Sequence, residues 1–384
     1  MRSLNDLLAS AEGRFFLESR GVILQEAGFG RELAPPAYRG LAEALGLPDG
    51  ARPVYVAHQT QVDLRRSVVC KFRAARDLRA DRVEPVTLWL DTDRTGSDRA
   101  LTTITWPLPE GEASVRLVPQ RHRNLEPRFA PVERVRLHEV MDRLREWIGR
   151  TVAEREACAA AMGRLEILAA ELPGDEPTTL ARSSLAIASC LLREHLGFRS
   201  PSVFVSALAA RGLLSVTVND VLGALDEFVD VFNRSVEELV ASDVDPQVHP
   251  LGDDYLPLHY ACDRCGARRR LRRERTAVDQ FAVMTCSCGT AHRFHLGSSD
   301  LSLGELEGSE RWSADVTLPV YLNDLASGVV AGRSSVLYGL VLGEVLPKVL
   351  GRPPIPMLVP EDLAGASVPP GSPDSLLYEH LVGA

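Results

Sequence analysis

Short apolar runs alternate with amphipathic segments from residue 53 onward. Residues 53–59 (PVYVAHQ) form an apolar run that is typical of a buried strand, and a polar turn follows it. Residues 63–80 carry apolar side chains at helical spacing, which predicts an amphipathic helix, and residues 85–91 (PVTLWLD) form a second apolar run. Because two strands joined by a helical crossover make a βαβ unit, the pattern predicts a parallel sheet.

The pattern divides the chain into four parts. It predicts N-terminal helices and the first half of a parallel α/β core in residues 1–130, a helical insertion in 131–250, a cysteine-rich ribbon in 251–300, and the second half of the core with a C-terminal tail in 301–384. In the insertion, apolar spacing predicts one continuous helical run over residues 140–168. In the last part, residues 316–322 (VTLPVYL) are expected to form a strand. The tail, residues 365–384, is rich in Pro, Gly and Ser and is expected to be loosely ordered.

Composition narrows the function classes. The 384 residues suit two or three domains, and the formal net charge of −9 argues against a protein that coats nucleic acid. The apolar stretch at residues 334–343 is about half the length that a membrane-spanning helix needs. Residues 1–20 lack an uninterrupted apolar segment, so they do not resemble a secretory signal. We therefore expect a cytoplasmic protein that does not span a membrane.

Lysine is nearly absent from the chain. Lys71 and Lys348 stand against 41 arginines. Because arginine stays protonated, these two lysines are the candidates for any mechanism that needs a titratable side-chain amine.

Four of the seven cysteines cluster within 27 residues, at Cys262, Cys265, Cys286 and Cys288. Two close pairs on facing turns can give the four ligands of a tetrahedral zinc ion, and Gly266 and Gly289 permit the tight turns. The sequence therefore predicts a zinc ribbon whose metal is structural. The spacing Cys286-x-Cys288 is one residue shorter than is usual, so His292 or His295 could replace one thiolate.

The predicted ribbon is rich in arginine. Its seven arginines are Arg264, Arg268, Arg269, Arg270, Arg272, Arg273 and Arg275. With Asp263 and Glu274 as the nearby acids, the local charge balance is strongly positive. Two interpretations stay open, a solvated hairpin or a contact to phosphate or RNA such as tRNA. Few aromatic residues are interleaved, which weakens a role in stacking bases.

A second group of candidates follows the first predicted strand. His58, Gln59, Thr60 and Gln61 lie between that strand and the next helix. In parallel sheets ligands bind at the carboxyl ends of the strands. Class I aminoacyl-tRNA synthetases place a His-x-Gly-His motif at this kind of turn, where it holds ATP phosphates. The present turn lacks the glycine and the second histidine, and the alternative is a histidine that caps a helix.

Two further loops complete the candidate site. Asp91 and Asp93 follow the second strand, where they could hold an ammonium group, a ribose hydroxyl or Mg²⁺, or only cap a turn. Gly332, Arg333, Ser334 and Ser335 lie between a short apolar strand and a long helix. A helix N-terminus beside an arginine suits an anionic group, and the alternative is a serine cap.

Three segments in order resemble the cysteine ligase family of bacillithiol biosynthesis, which is related to class I synthetase-like nucleotidyl transferases. They are VYVAHQTQVDLRRSVVCKF, PVTLWLDTDRTGSD and the segment from VTLPVYL through AGRSS to PIPMLVP. The resemblance covers under a third of the chain. His58 stands where the family has a glycine, AGRSS replaces a more glycine-rich loop, and the chain carries a ribbon that the family lacks.

The resemblance implies an α/β fold with a Rossmann-like parallel-sheet core. It implies a ligase that joins an amino acid to an amine or a carrier acceptor. ATP and Mg²⁺ are candidate cofactors, and either ATP or an aminoacyl-tRNA could supply the energy. His58 and Gln61 would contact phosphates, Asp91 and Asp93 the amino group or a metal, and the Gly332–Ser335 loop an anionic group. The alternatives are an aminoacyl-tRNA synthetase paralogue that acts on tRNA and a non-catalytic zinc-ribbon interaction protein.

Overall fold

A computed structural model describes residues 1–24, 29–30, 33–36, 38–78, 82–108, 111–174, 178–322, 324–360 and 374–383. Its strands are β1 (Val22–Ile23), β2 (Arg52–Gln59), β3 (Val83–Leu90), β4 (Thr103–Leu108), β5 (Gly111–Arg116), β6 (Pro131–Val132), β7 (Thr178–Thr179), β8 (Ser202–Phe204), β9 (Tyr255–Ala261), β10 (Arg268–Arg275), β11 (Gln280–Thr285), β12 (Ala291–Gly297), β13 (Trp312–Ala314), β14 (Gly328–Val330) and β15 (Met357–Leu358). Its helices are α1 (Leu4–Ala9), α2 (Ala11–Ser19), α3 (Gly40–Ala44), α4 (Arg66–Asp77), α5 (Arg134–Thr151), α6 (Arg155–Glu171), α7 (Leu180–Leu196), α8 (Val205–Ala210), α9 (Ser215–Gly223), α10 (Leu225–Ala241), α11 (Thr317–Tyr321), α12 (Arg333–Val349) and α13 (Leu376–Val382).

The chain forms two compact units. The first unit consists of Met1–Ala57, Asp77–Leu88 and Ser200–Gly365. The second unit consists of His58–Arg76, Trp89–Arg199 and Ala366–Ala384. The candidate residues at the ends of β2 and β3 belong to the second unit, whereas the cysteine cluster and the Gly332–Ser335 loop belong to the first. His58 and Gln59, which were expected after β2, are its last two residues.

A six-stranded parallel sheet forms the core of the first unit. Its strand order is β1-β15-β14-β2-β3-β8. Val329 is the register partner of Met357 on one side and of Tyr55 on the other, and all three side chains are buried. The prediction of a parallel α/β core is confirmed, because apolar runs that are buried on both faces are what such sheets require.

Residues 316–322 correct one expectation, because helix α11 (Thr317–Tyr321) takes the place of the predicted strand. Pro319 has no N–H to donate to a sheet ladder, but proline is tolerated in the first turn of a helix. Leu318, Val320 and Tyr321 are all buried. Because the short helix is buried on more than one face, its sequence is a continuous apolar run like that of a buried strand.

An antiparallel sheet of five strands, in the order β12-β11-β10-β9-β13, also lies in the first unit. Register partners are Arg269 with Tyr260 between β10 and β9, and Val283 with Arg293 between β11 and β12. Leu271 of β10 is fully buried. The two turns that join β9 to β10 and β11 to β12 carry the four clustered cysteines.

Helices dominate the second unit, in which α6 packs against α5, α7 and α13. The expected continuous run over residues 140–168 is wrong, because α5 ends at Thr151 and α6 begins at Arg155. Val152 is extended, with ψ of 96°, and this breaks the helical hydrogen-bond ladder. Two short antiparallel pairs, β4 with β5 and β6 with β7, complete the unit.

Within the described part of the C-terminal tail, residues 374–383 are more ordered than the composition predicts. Residues 361–373 lie outside the described part of the chain, but residues 376–382 form helix α13. The hydroxyl of Ser375 accepts the backbone N–H of Tyr378 at 2.9 Å and caps the helix, while Leu376, Leu377 and Leu381 are buried. Among the described helices, none is both long and apolar enough to cross a bilayer.

Candidate metal centre and candidate active site

Two tight turns bring the cysteine pairs together. In the first turn, the N–H of Gly266 donates to the carbonyl of Cys262 at 2.8 Å. In the second, the N–H of Gly289 donates to the carbonyl of Cys286 at 2.9 Å. Gly266 and Gly289 have φ angles of 71° and 86°, in the left-handed region that favours glycine. The predicted role of these glycines in turning the backbone is confirmed.

The four thiols converge on one point. All four Sγ atoms lie within 4.8 Å of one another. The closest pairs cross between the turns, since Cys262 lies 3.6 Å from Cys288 and Cys265 lies 3.4 Å from Cys286. In a tetrahedral zinc site with bonds near 2.3 Å, sulfurs are about 3.8 Å apart. The cluster therefore fits a metal ion such as zinc.

The short spacing of Cys286 and Cys288 does not exclude either thiol, because both belong to the group of four. His295 points elsewhere, with Nε2 3.0 Å from Asp279 Oδ1. His292 borders the cluster, with Nε2 3.4 Å from the Sγ of Cys262 and Nδ1 3.5 Å from Asp263 Oδ2. This geometry places four sulfurs around the centre and His292 beside one of them.

The surroundings of Cys288 favour its thiolate form. Hydrogen bonds from the hydroxyl and the backbone N–H of Thr290 lower the pKa of the Cys288 thiol to about 6. Metal ions bind the deprotonated thiol, so this turn favours the protonation state that coordination needs.

Replacing His292 with alanine is expected to leave one zinc ion per chain but to weaken its binding roughly 10–100-fold, as is usual when an outer partner of a ligand is lost. His295→Ala is the matched control and should leave the affinity unchanged. Competition with a chelator of known zinc affinity measures both values. Loss of the metal from His292→Ala would show that this histidine is itself a ligand.

Carboxylates that lie outside β10 offset much of the positive charge of its arginines. Asp226 pairs with Arg273 and with Arg275, the latter at 2.6 Å, and Asp254 pairs with Arg272 at 3.2 Å. Asp226 is remote in sequence, and Asp254 precedes the stretch 263–275 over which the charges were counted, so that count overstates the basic character of the ribbon. The contact to phosphate or to RNA such as tRNA stays one of two open interpretations, beside a solvated hairpin.

A polar cluster marks the ends of β2 and β3. His58 is 8% exposed, and its Nε2 lies 3.1 Å from Oε1 of Gln61. The amide of Gln59 donates to Oδ2 of Asp93 at 2.7 Å. A longer contact of 3.5 Å joins the Gln61 amide nitrogen to Asp98. Candidates that follow one strand are thus linked directly to candidates that follow the other.

His58 is neutral at physiological pH. Burial and the positive charge of Lys71 hold the pKa of His58 well below its usual range. Because the amide nitrogen of Gln61 faces Asp98, its oxygen faces His58, so the neutral imidazole carries its proton on Nε2. Burial also lowers the pKa of Lys71 to about 8. One of the two lysines is therefore a buried amine that titrates close to neutrality.

The remaining candidates differ in how the structure places them. Asp91 is almost fully buried, and its carbonyl accepts the N–H of Arg128 at 3.3 Å. Thr60 is fully buried, and within the described residues its hydroxyl has no hydrogen-bond partner. Asp93 also accepts from the hydroxyl of Ser97 at 3.3 Å.

Sequence reasoning missed two acids beside this cluster. Asp98, which faces Gln61, lies in the same acidic loop as Asp93, and that loop is the signal that could have indicated it. Asp63 is buried and accepts the N–H of Leu377 at 3.1 Å, so it anchors α13 beneath the turn that carries His58 and Gln61. A contact across more than 300 residues leaves no local signal in the sequence.

We expect Asp63→Asn to stabilise the protein at pH 7. Burial raises the pKa of Asp63 to about 6, so the folded state binds its proton more readily than the unfolded state. The charged carboxylate then costs stability above about pH 6, and this cost disappears towards pH 4. Asparagine keeps an acceptor for Leu377, and the gain should be about 1–3 kcal/mol.

Denaturation of both proteins between pH 4 and pH 8 measures this effect. Asp142→Asn is the control, because this exposed carboxylate of α5 pairs with Arg145 at 2.7 Å, is not among the groups that raise the pKa of Asp63, and should change stability by about 1 kcal/mol or less when neutralised. A variant at Asp63 that is less stable than wild type at pH 7 would contradict the account.

The loop at residues 332–335 begins helix α12, with Gly332 as the N-cap. The hydroxyl of Ser335 accepts the N–H of Gly332 at 2.7 Å and donates to its carbonyl at 2.9 Å, so it is engaged within its own turn. The side chains of Arg333 and Ser334 lie outside the described part of the structure. Their predicted role in anion binding stays a prediction.

Comparison with known proteins adds no family. No protein-family model matches the chain, and no curated protein matches its sequence. The resemblance to the cysteine ligase family therefore depends on the three segments quoted above.

Proposed function

We propose that this protein is a synthetase-like ligase that joins an amino acid to an amine or a carrier acceptor, forming an amide or ester bond at the expense of a nucleotide. The observation that carries the proposal is the polar cluster formed by His58, Gln59, Gln61 and Asp93 at the carboxyl ends of two neighbouring strands. Ligands of open α/β sheets bind at this end of the strands. In this proposal the six-stranded sheet is a Rossmann-like core.

His58, Gln61 and Asp93 of the cluster, and Asp91 at the end of the same strand β3, have roles that suit their charges. The neutral imidazole of His58 and the amide of Gln61 can form hydrogen bonds to phosphate oxygens. Neither side chain changes its charge near pH 7. The carboxylates of Asp91 and Asp93 suit an ammonium group or Mg²⁺. ATP would supply the activation of the carboxyl group when bound. The contribution of these side chains is to position the reactants and to stabilise developing charge.

The cysteine cluster has a separate role in this proposal. We infer that its metal is a structural zinc ion, since four thiols fill a tetrahedral shell and leave no open position for a substrate. The zinc would hold together the turn that joins β9 to β10 and the turn that joins β11 to β12.

Mass spectrometry of ligands that copurify with the full-length protein tests the proposal. We expect a nucleotide or an amino acid bound to wild type and depleted in Gln61→Ala. Copurifying RNA instead would favour a synthetase paralogue that acts on tRNA. Equal ligand content in both proteins would remove the polar cluster from the site.

A further inference from the structure

We propose that a groove between β5 and α5 binds a small polyanion, a substrate that carries at least two phosphate or carboxylate groups. The groove lies wholly within the second unit and has a volume of about 510 Å³. This is within the range of about 300–1,000 Å³ that is common for small-molecule sites. The four arginines that line it are Arg116, Arg121, Arg136 and Arg143.

The two walls hold their arginines differently. On α5, Glu139 pairs with Arg136 and with Arg143, each at 2.7 Å, and so fixes both guanidinium groups along one face of the helix. On the opposite wall, Arg116 contacts the amide oxygen of Gln120. In the described part of the chain, neither Arg116 nor Arg121 forms an ion pair with a carboxylate. Arg121 donates to the imidazole of His122, with Nε 3.4 Å from Nε2, so both groups contact neutral side chains and keep their positive charge for an incoming anion.

The charge of the groove contrasts with that of the chain. Four arginines face two glutamates, Glu133 and Glu139, whereas the chain as a whole carries a net charge of −9. One guanidinium group can bind two oxygens of a phosphate or carboxylate group at once. Arginines on two walls therefore suit a ligand with more than one anionic group. The size of the groove favours a small molecule over a nucleic acid.

A smaller cavity of about 170 Å³ continues towards the polar cluster. It shares Arg116 and Pro119 with the groove and is also lined by Asp98, the carboxylate that faces Gln61. The inference rests on the proposed function, because it assigns the chemical class of one substrate to a surface beside the same candidate site.

Calorimetric titration of the full-length protein at low salt, with pyrophosphate and separately with citrate, tests the inference. We expect wild type to bind at least one of them. The double substitution Arg116→Gln with Arg121→Gln should weaken binding tenfold or more, since each arginine makes a charge-assisted hydrogen bond. Arg155→Gln is the control, because Arg155 is an exposed arginine of the same unit that does not line the groove.

Glu133→Gln gives a second test, because a gain in anion affinity would not be expected if the residues of the groove only stabilised the fold. This glutamate is exposed, lines the groove and contributes negative charge, so its neutralisation should strengthen anion binding several-fold. Binding of pyrophosphate alone would identify a phosphorylated ligand, and binding of citrate alone a polycarboxylate.

Three results would overturn the inference: no binding of either anion, equal affinities in all variants, or binding of an RNA oligonucleotide without either small anion. The titration measures binding and not turnover, so a failure to bind these anions would not contradict the proposed ligation. Failure of ligation would in turn leave anion binding intact.

Discussion

Replacing Cys288 with serine is expected to abolish binding of the zinc ion proposed for the cysteine cluster and to unfold the five-stranded antiparallel sheet. The hydroxyl of serine does not replace a thiolate as a ligand, and the three remaining sulfurs leave the shell open. Structural zinc contributes an apparent binding free energy of about 10–16 kcal/mol in small zinc domains. This is comparable with the whole stability of a typical domain, about 5–15 kcal/mol, so the sheet should not survive the loss.

Two measurements check this result. Elemental analysis of protein purified without added metal should give one zinc per chain for wild type and none for the variant. Hydrogen exchange should show lost protection across β10, β11 and β12. The matched control is Cys158→Ser, because Cys158 lies outside the cluster. A folded wild-type protein with a zinc ratio near zero would sink the claim.

Replacing His58 with alanine is expected to reduce ligation by about 100-fold or more while the fold is kept. A positioned group that assists proton transfer or charge stabilisation contributes roughly 10²–10⁴-fold in rate. His58 is nearly buried, and its hydrogen bond to Gln61 belongs to the link between the ends of β2 and β3. Its removal should leave Gln61 without one of its partners and the site without its imidazole.

A control variant separates loss of the His58 imidazole from loss of the folded structure. His138→Ala changes an exposed histidine of α5 in the same unit and should leave turnover unchanged. Circular dichroism and thermal unfolding should show a fold close to that of wild type for both variants. Turnover that is equal in His58→Ala and wild type would reduce His58 to a structural residue at the end of a strand.

The sequence predicted best what is encoded locally. The cysteine pairs and their glycines lie within a few residues of one another, so their turns and their convergence could be anticipated. The strands at residues 53–59 and 85–91 carry continuous apolar runs, and these fixed the parallel core. Residues 316–322 carry the same kind of run but fold as a helix, because full burial removes the periodicity that separates the two.

The parts that could not be predicted depend on contacts between remote segments. Gln59 meets Asp93, and Asp63 meets Leu377, only once the strands and the C-terminal helix have been placed. The neutral state of His58 likewise follows from burial and from Lys71, and the sequence gives no measure of either. The same holds for Asp226, whose pairing with ribbon arginines changed the charge of that surface.

The most direct test of the proposed ligase is an untargeted search for its product. Purified wild-type protein and His58→Ala would each be incubated with ATP, Mg²⁺, proteinogenic amino acids and an extract of small metabolites, and the mixtures compared by mass spectrometry. The account predicts a new species, formed by wild type alone, whose mass equals that of an amino acid plus a second metabolite less one water. The account would be contradicted if the two mixtures contained the same species and neither contained such a condensation product.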